Sequence, residues 1–176
     1  WLIRMVENIL SITRISGEQT SLNTELEAAE EIVAASVQKF SKRFPDANVS
    51  VEVPEEVLLV PMDATLIQQV ILNLLENAVL HGEGMDEITL SLRRNGAMAE
   101  ILVEDNGCGI PPDAIRNLFN SAAHSTRQGD RKRNMGIGLS VCRTVVEAHG
   151  GTIKGENRTQ GGARFTVALP MEEELP

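Results

Sequence analysis

"NLLENAVLHG", residues 73–82, is an apolar helical run interrupted by two asparagines four positions apart. Helical geometry puts Asn73 and Asn77 on one face and leaves Leu72, Leu74, Leu75, Ala78 and Val79 to cover a buried side. Asparagine is an indifferent helix former, and a buried amide without partners costs about 1 to 3 kcal/mol. The pair therefore either bonds to neighbouring loops or serves a ligand. An amide oxygen suits a hard cation such as Mg2+, which keeps several waters and borrows phosphate oxygens.

Working outward, Asp63 can cap this helix and Gly82 can end it. Upstream, Thr24 and Glu27 have the spacing of a capping box, which predicts a helix through "EAAEEIVAASVQKFSKRF" that halts at Pro45. "VSVEVP" and "VLLVP" read as two short strands with turn residues around Pro54 and Glu55. Downstream, "EITLSLRR" and "AMAEILVED" flank Asn95 and Gly96, the dipeptide of a tight type I′ hairpin. A short helical piece reaches Phe119, and residues 120–135 read as a polar, basic, structureless stretch. "IGLSVCRTVVEAHG" is a helix closed by Gly150, and "GTIKGEN" and "ARFTVALP" finish as a strand pair. These elements predict an α+β fold, a two-layer α/β sandwich with a mostly antiparallel mixed sheet covered on one face by three helices.

At the other end, "WLIRMVENILSITRI" places Leu2, Met5, Val6, Ile9, Ile12 and Ile15 close to helical spacing. Such a stripe is either a helix docked on the domain's own core or half of a helical hairpin or dimer. "SGEQTSLN" reads as a polar linker. A chain of 176 residues has room for one large domain and a short appendage. Aromatic residues are only 3%, so aliphatic packing carries the core. The net charge of -9 argues against a broad nucleic-acid footprint, which needs clustered Lys and Arg. Cys108 and Cys142 have no metal-ligand spacing and read as packing thiols in a reducing compartment. No apolar run is long enough to span a bilayer, and the start at Trp1 suggests a piece of a longer protein.

Two further stretches carry chemistry. In "DNGCGIP", Asp105 ends an apolar strand, where an inward carboxylate needs donors such as the exocyclic amine of a purine. Gly107 and Gly109 allow a sharp turn and the approach of a planar ligand, although an ordinary acidic turn has the same pattern. In "NMGIGL", Gly136 and Gly138 lie where a helix begins, so backbone N–H groups there can cradle phosphates or simply form a helix entry.

The order and spacing of these features resemble the GHKL nucleotide-binding superfamily over residues 24–170, and within it the sensor histidine kinases of two-component signalling. "NLLENAVLHG" and "ENRTQGGARF" are most similar to the KdpD-type, potassium-responsive kinases. The resemblance implies a Bergerat-type fold that binds ATP and Mg2+. It implies that Asn77 holds the metal against the phosphates and that Asp105 bonds the adenine amine. Asn73, His81, Gly107, Gly109, Ile110, Leu118, Lys132, Arg133, Gly136, Ile137, Gly138, Leu139 and Thr166 complete the implied nucleotide site. Residues 1–16 resemble the second helix of a dimerisation and phosphoacceptor hairpin, with a linker over 17–23 and a tail over 171–176. The phosphorylated histidine would lie on the hairpin's missing first helix, since His81, His124 and His149 fall within the nucleotide domain.

Relatives that hydrolyse ATP commonly carry Glu at the position of Asn73. An amide is no general base near neutral pH, which favours phosphoryl transfer with Asn73, Glu76 and Asn77 as the catalytic set. Glu76 is either a base or, more simply, a group that orients the amide or a metal-bound water. Residues 120–135 read as a lid, with Lys132 or Arg133 approaching phosphate. Two departures stand out. "LFNSA" is a reduced form of the usual Phe-rich box, and Leu80 occupies a position where many histidine kinases carry Lys or Arg, leaving His81 to compensate. The implied partners are ATP or ADP, the histidine hairpin and a response regulator, with no nucleic acid or membrane contact by this piece. The implied parent is a membrane-anchored homodimer with this domain in the cytoplasm. The alternative is a nucleotide-responsive module of the anti-sigma-factor type.

Overall fold

In the computed structural model of the chain, residues 22–120 and 130–172 are described, the side chains of residues 130–137 excepted. The expected hairpin helix over 1–16 and the lid residues 121–129 lie outside them.

Strand β1 (Glu25–Ala28) leads directly into helix α1 (Ala29–Arg43). Strands β2 (Val49–Glu52) and β3 (Leu59–Met62) precede helix α2 (Ala64–His81), the asparagine helix. A hairpin of β4 (Ile88–Asn95) and β5 (Met98–Asp105) follows, then the single turn α3 (Pro112–Ile115), helix α4 (Asp130–Ala148) and strands β6 (Thr152–Asn157) and β7 (Ala163–Pro170). The main sheet has the order β2-β4-β5-β7-β6, with β2 parallel to β4 and the other neighbours antiparallel. One core joins Val33 and Phe40 of α1, Ile67, Ile71 and Leu74 of α2, and Val141 and Val145 of α4 to the inward residues of the sheet. Along β7 the side chains alternate: Ala163, Phe165, Val167 and Leu169 are buried, and Arg164 and Thr166 face the other way. That outer face is polar, as expected of an antiparallel sheet with one solvated side, and Glu104 is ion-paired with both Arg158 and Arg164. The two-layer α+β reading holds.

Helix α2 matches its signals at both ends. Leu66 N donates to Asp63 Oδ1 at 3.1 Å, and Gly82 N donates to Ala78 O at 2.9 Å. The backbone N–H of Asp63 also donates to His149 Nε2 at 3.0 Å, which leaves the ring proton on Nδ1, 2.7 Å from Val145 O. His149 thus ties the end of α4 to the start of α2.

Three local expectations fail. The proposed capping box is a strand: Glu25 to Ala28 pair with Met62 to Leu59, and α1 starts from Ala28 with no side-chain cap. Backbone ladder bonds to a distant strand satisfy more polar groups than the cap would have done. Strands β2 and β3 form as read, β2 joining β4 and β3 joining β1. The β4–β5 turn is Gly96-Ala97, flanked by paired Asn95 and Met98; Gly96, at φ 60°, takes the first central position, where type II′ places glycine. Finally, α4 begins at Asp130 rather than near Gly136, the Arg-Lys-Arg run being compatible with helix.

Candidate functional site

A cavity of about 360 Å³ opens between the C-terminal half of α2, the loop after β5 and the start of β7. Its walls are largely apolar, with Ala78, Leu80, Ile110, Pro111, Leu118, Ala163 and Phe165, and its polar lining includes Asn77, His81, Glu83 and Asp105. A mostly apolar concavity with a few convergent polar groups is the usual form of a small-molecule site.

Strand alternation sets Asp105 on the core face opposite Ile88, where it is 5% exposed. Its Oδ1 accepts from Gly107 N at 2.9 Å and from Ala163 N at 3.3 Å. With one oxygen engaged by two backbone N–H groups, Oδ2 is the acceptor left for a donor in the cavity. The carbonyl of Asp105 is held by Arg158 Nη1 at 2.8 Å. At Gly162 a Cβ would stand 1.9 Å from that carbonyl oxygen, and the residue's φ of +85° also favours glycine.

The glycines of "DNGCGIP" differ in their work, Gly109 making the expected sharp turn at the cavity wall. A Cβ at Gly107 would come within 2.8 Å of Gly82 Cα, so its bareness serves the packing of the loop on the end of α2 rather than ligand approach. Gly109, at φ +76°, would meet Asn157 Oδ1 at 2.7 Å. Asn157 clamps the next residue, accepting from Ile110 N at 2.6 Å and donating to Ile110 O at 2.8 Å.

On α2 the two asparagines separate. Asn73 is buried; its Oδ1 accepts from Gln69 Nε2 at 3.3 Å, and Gly138 of α4 packs opposite it, with room for a Cβ 4.0 Å from Asn73 Cγ. Burial pushes the nearby Cys142 thiol up to about 12, against a hydrogen bond with the Asn73 side chain that acts the other way. Asn77 lines the cavity, and its Nδ2 is buried without a hydrogen-bond partner. An unsatisfied amide edge therefore stands at the cavity wall. Glu76 is buried and accepts from Arg43 Nη1 at 2.6 Å.

The structure thus brings together Asn77, His81, Asp105, Gly109, Ile110 and Leu118 around one cavity. Gly107 supports it from behind, and Leu139, at 0% exposure, belongs to the core. Thr166 is on the opposite face of β7 from Phe165 and does not line the cavity, a correction the alternation of "ARFTVALP" explains. Gly136 and Gly138 lie inside α4 rather than at its first turn, so the expected cradle of free N–H groups is absent at those positions. The side chains of Lys132, Arg133 and Ile137 lie outside the described residues. The reduced Phe box still packs: Leu118 is 1% exposed, and the Phe119 ring meets Phe165 edge-on at 6.4 Å. Sequence reasoning missed Arg43, Asn157, Arg158 and Gly162. The paired glycines of "TQGGA" were a visible signal for Gly162, whereas nothing local to Arg43 points to Glu76, 33 residues away.

A family model described as histidine kinase-, DNA gyrase B-, and HSP90-like ATPase matches residues 62–173. Sensor protein KdpD of Clostridium acetobutylicum is 38% identical over 175 residues, which are 98% of this chain and 19% of that protein. Sensor protein KdpD of Escherichia coli (strain K12) is 34% identical over 169 residues, 96% of this chain and again 19% of that protein. The chain therefore spans 19% of the length of each of these relatives. Among solved structures, the nucleotide-free catalytic domain of histidine kinase ThkA superposes with a TM-score of 0.72 at 26% identity, covering 85% of this chain and 96% of that one.

Proposed function

Since the chain belongs to the family of histidine kinase-, DNA gyrase B- and HSP90-like ATPases, we propose that it is the ATP-binding catalytic domain of a two-component sensor histidine kinase. It transfers the γ-phosphoryl of Mg-ATP to a histidine on a dimerisation hairpin. One observation supports this best: Asp105, fixed through Oδ1 by two backbone N–H groups, and the unsatisfied amide of Asn77 line the same apolar-walled cavity. The carboxylate accepts from the exocyclic amine of adenine, a charge-assisted bond in low-dielectric surroundings. Turned so that its oxygen takes the edge now left without a partner, this amide would suit a magnesium ion. Among the described residues no cluster of three or more His, Cys, Asp or Glu side chains could hold a metal. Magnesium at Asn77 would therefore take most of its oxygens from phosphate and water, as that ion commonly does. The ion, when bound, neutralises charge on the phosphates during transfer.

Transfer is favoured over hydrolysis because Asn73 is an amide and Glu76 is paired with Arg43, so neither is suited to draw a proton from water. The nucleotide domain begins near residue 24, a boundary the β1–β3 ladder supports. Among the described residues no helix is long and apolar enough to cross a membrane. In the parent, this domain works at the cytoplasmic side of a membrane-anchored homodimer, whose phosphohistidine passes its phosphoryl group on to a response regulator.

The test is calorimetric titration with a non-hydrolysable ATP analogue, with and without Mg2+. Magnesium-dependent binding is expected, followed by phosphorylation of a separately supplied histidine hairpin from the same parent. No binding at millimolar nucleotide overturns the assignment.

A further inference from the structure

Arg43, at the end of α1, reaches across to α2 and donates from Nη1 to Glu76 Oε1 at 2.6 Å. The Glu76 side chain is 7% exposed and that of Arg43 is 45% exposed, so a buried acid sits beneath a cation that reaches solvent. Arg43 is also steadied by its own neighbour: its Cζ lies 5.8 Å from the centroid of the Phe44 ring, which stacks on Phe40. On α2, Glu76 precedes Asn77 directly and Leu80 by four residues, so it occupies the helix side that continues into the cavity rim. No Lys or Arg lines that cavity among the described residues, while the carboxylates of Glu83 and Asp105 do. A further buried negative charge beside Asn77 would repel a polyphosphate in a medium that screens far less than water.

We propose that Arg43 is a positioning residue for the nucleotide's phosphates. By pairing with Glu76 it cancels the buried charge next to Asn77 and draws that carboxylate toward α1, away from the amide at the cavity wall. The inference rests on the ATP reading above. It accounts for how this chain carries both a buried glutamate beside Asn77 and an uncharged Leu80.

The test is calorimetric titration of the chain and of its Arg43→Met, Arg43→Lys and Arg43→Met/Glu76→Gln variants with adenosine, ADP and ATP in the presence of Mg2+, with thermal unfolding alongside. Arg43→Met should weaken ATP binding roughly tenfold and ADP binding less, while adenosine stays within about twofold. Adding Glu76→Gln should restore ATP affinity, and Arg43→Lys, which keeps the charge, should retain the original profile. A loss that grows with the number of phosphates is a signature that a merely structural role does not produce. Equal losses for all three ligands, no loss at all, a failure of Glu76→Gln to restore binding, or an Arg43→Lys profile like that of Arg43→Met would overturn the proposal. If the unmodified chain binds no nucleotide, the ATP reading itself fails, and this inference falls with it.

Discussion

Replacing Asp105 by asparagine tests the base pocket with little change of shape. In the native site Oδ1 accepts from Gly107 N and Ala163 N, so any ligand donor must use Oδ2. An asparagine that keeps its oxygen toward those two N–H groups turns an NH2 donor into the cavity. The opposite orientation sets NH2 against Gly107 N–H and Ala163 N–H, so the first arrangement prevails. The adenine amine, itself a donor, then faces a donor, and the charge-assisted bond is lost. That loss is worth roughly 1.5 to 3 kcal/mol, or about 10- to 150-fold in affinity. A 6-oxo purine offers an acceptor at the same place, so ITP should lose much less than ATP or gain. Calorimetric titration of both nucleotides reads the result, and thermal unfolding shows that the fold persists. Undiminished ATP affinity, or equal weakening of ATP and ITP, would refute the assignment of Asp105 to the base.

Three other outcomes follow from the geometry. Gly162→Ala should destabilise the chain by at least about 2 kcal/mol in denaturant unfolding, because both the positive φ and the 1.9 Å approach to Asp105 O exclude a methyl group; a neutral result would mean the β6–β7 turn readily rearranges. Glu100 is held below the usual glutamate value by the hydrogen bond from Asn95, with Arg93 adding to it and burial opposing. A carboxyl depressed in the folded state contributes stability above its unfolded value, and that contribution disappears as pH falls through the folded value, so Glu100→Gln should flatten the acid side of the stability profile below about pH 4.5. Of the two thiols, exposed Cys108 should react with an aromatic disulfide at pH 8 under native conditions while buried Cys142, pushed up to about 12, does not. ATP should slow the reaction of Cys108, which lines the cavity, and an unprotected Cys108 would argue against nucleotide in that cavity.

Sequence alone was enough for the asparagine helix, its Asp63 cap, its stop at Gly82, the β4–β5 hairpin and the β6–β7 pair. These rest on helical and strand periodicity and on turn residues, interactions that span a few positions and leave their mark in the local pattern. Even Thr166 was legible, since the alternation of "ARFTVALP" sends it away from Phe165; assigning it to the site by resemblance overrode a plain period of two. Tertiary structure decided the rest. Residues 25–28 became a strand because β3 offered a ladder that no local cap could match. Gly107 is bare because Gly82 approaches it, Asn157 is a clamp because Ile110 lies beside it, and Glu76 is an ion-paired acid because α1 ends above it. Each depends on groups distant in sequence that packing brings within bonding range, where satisfying buried polar atoms outweighs local preference.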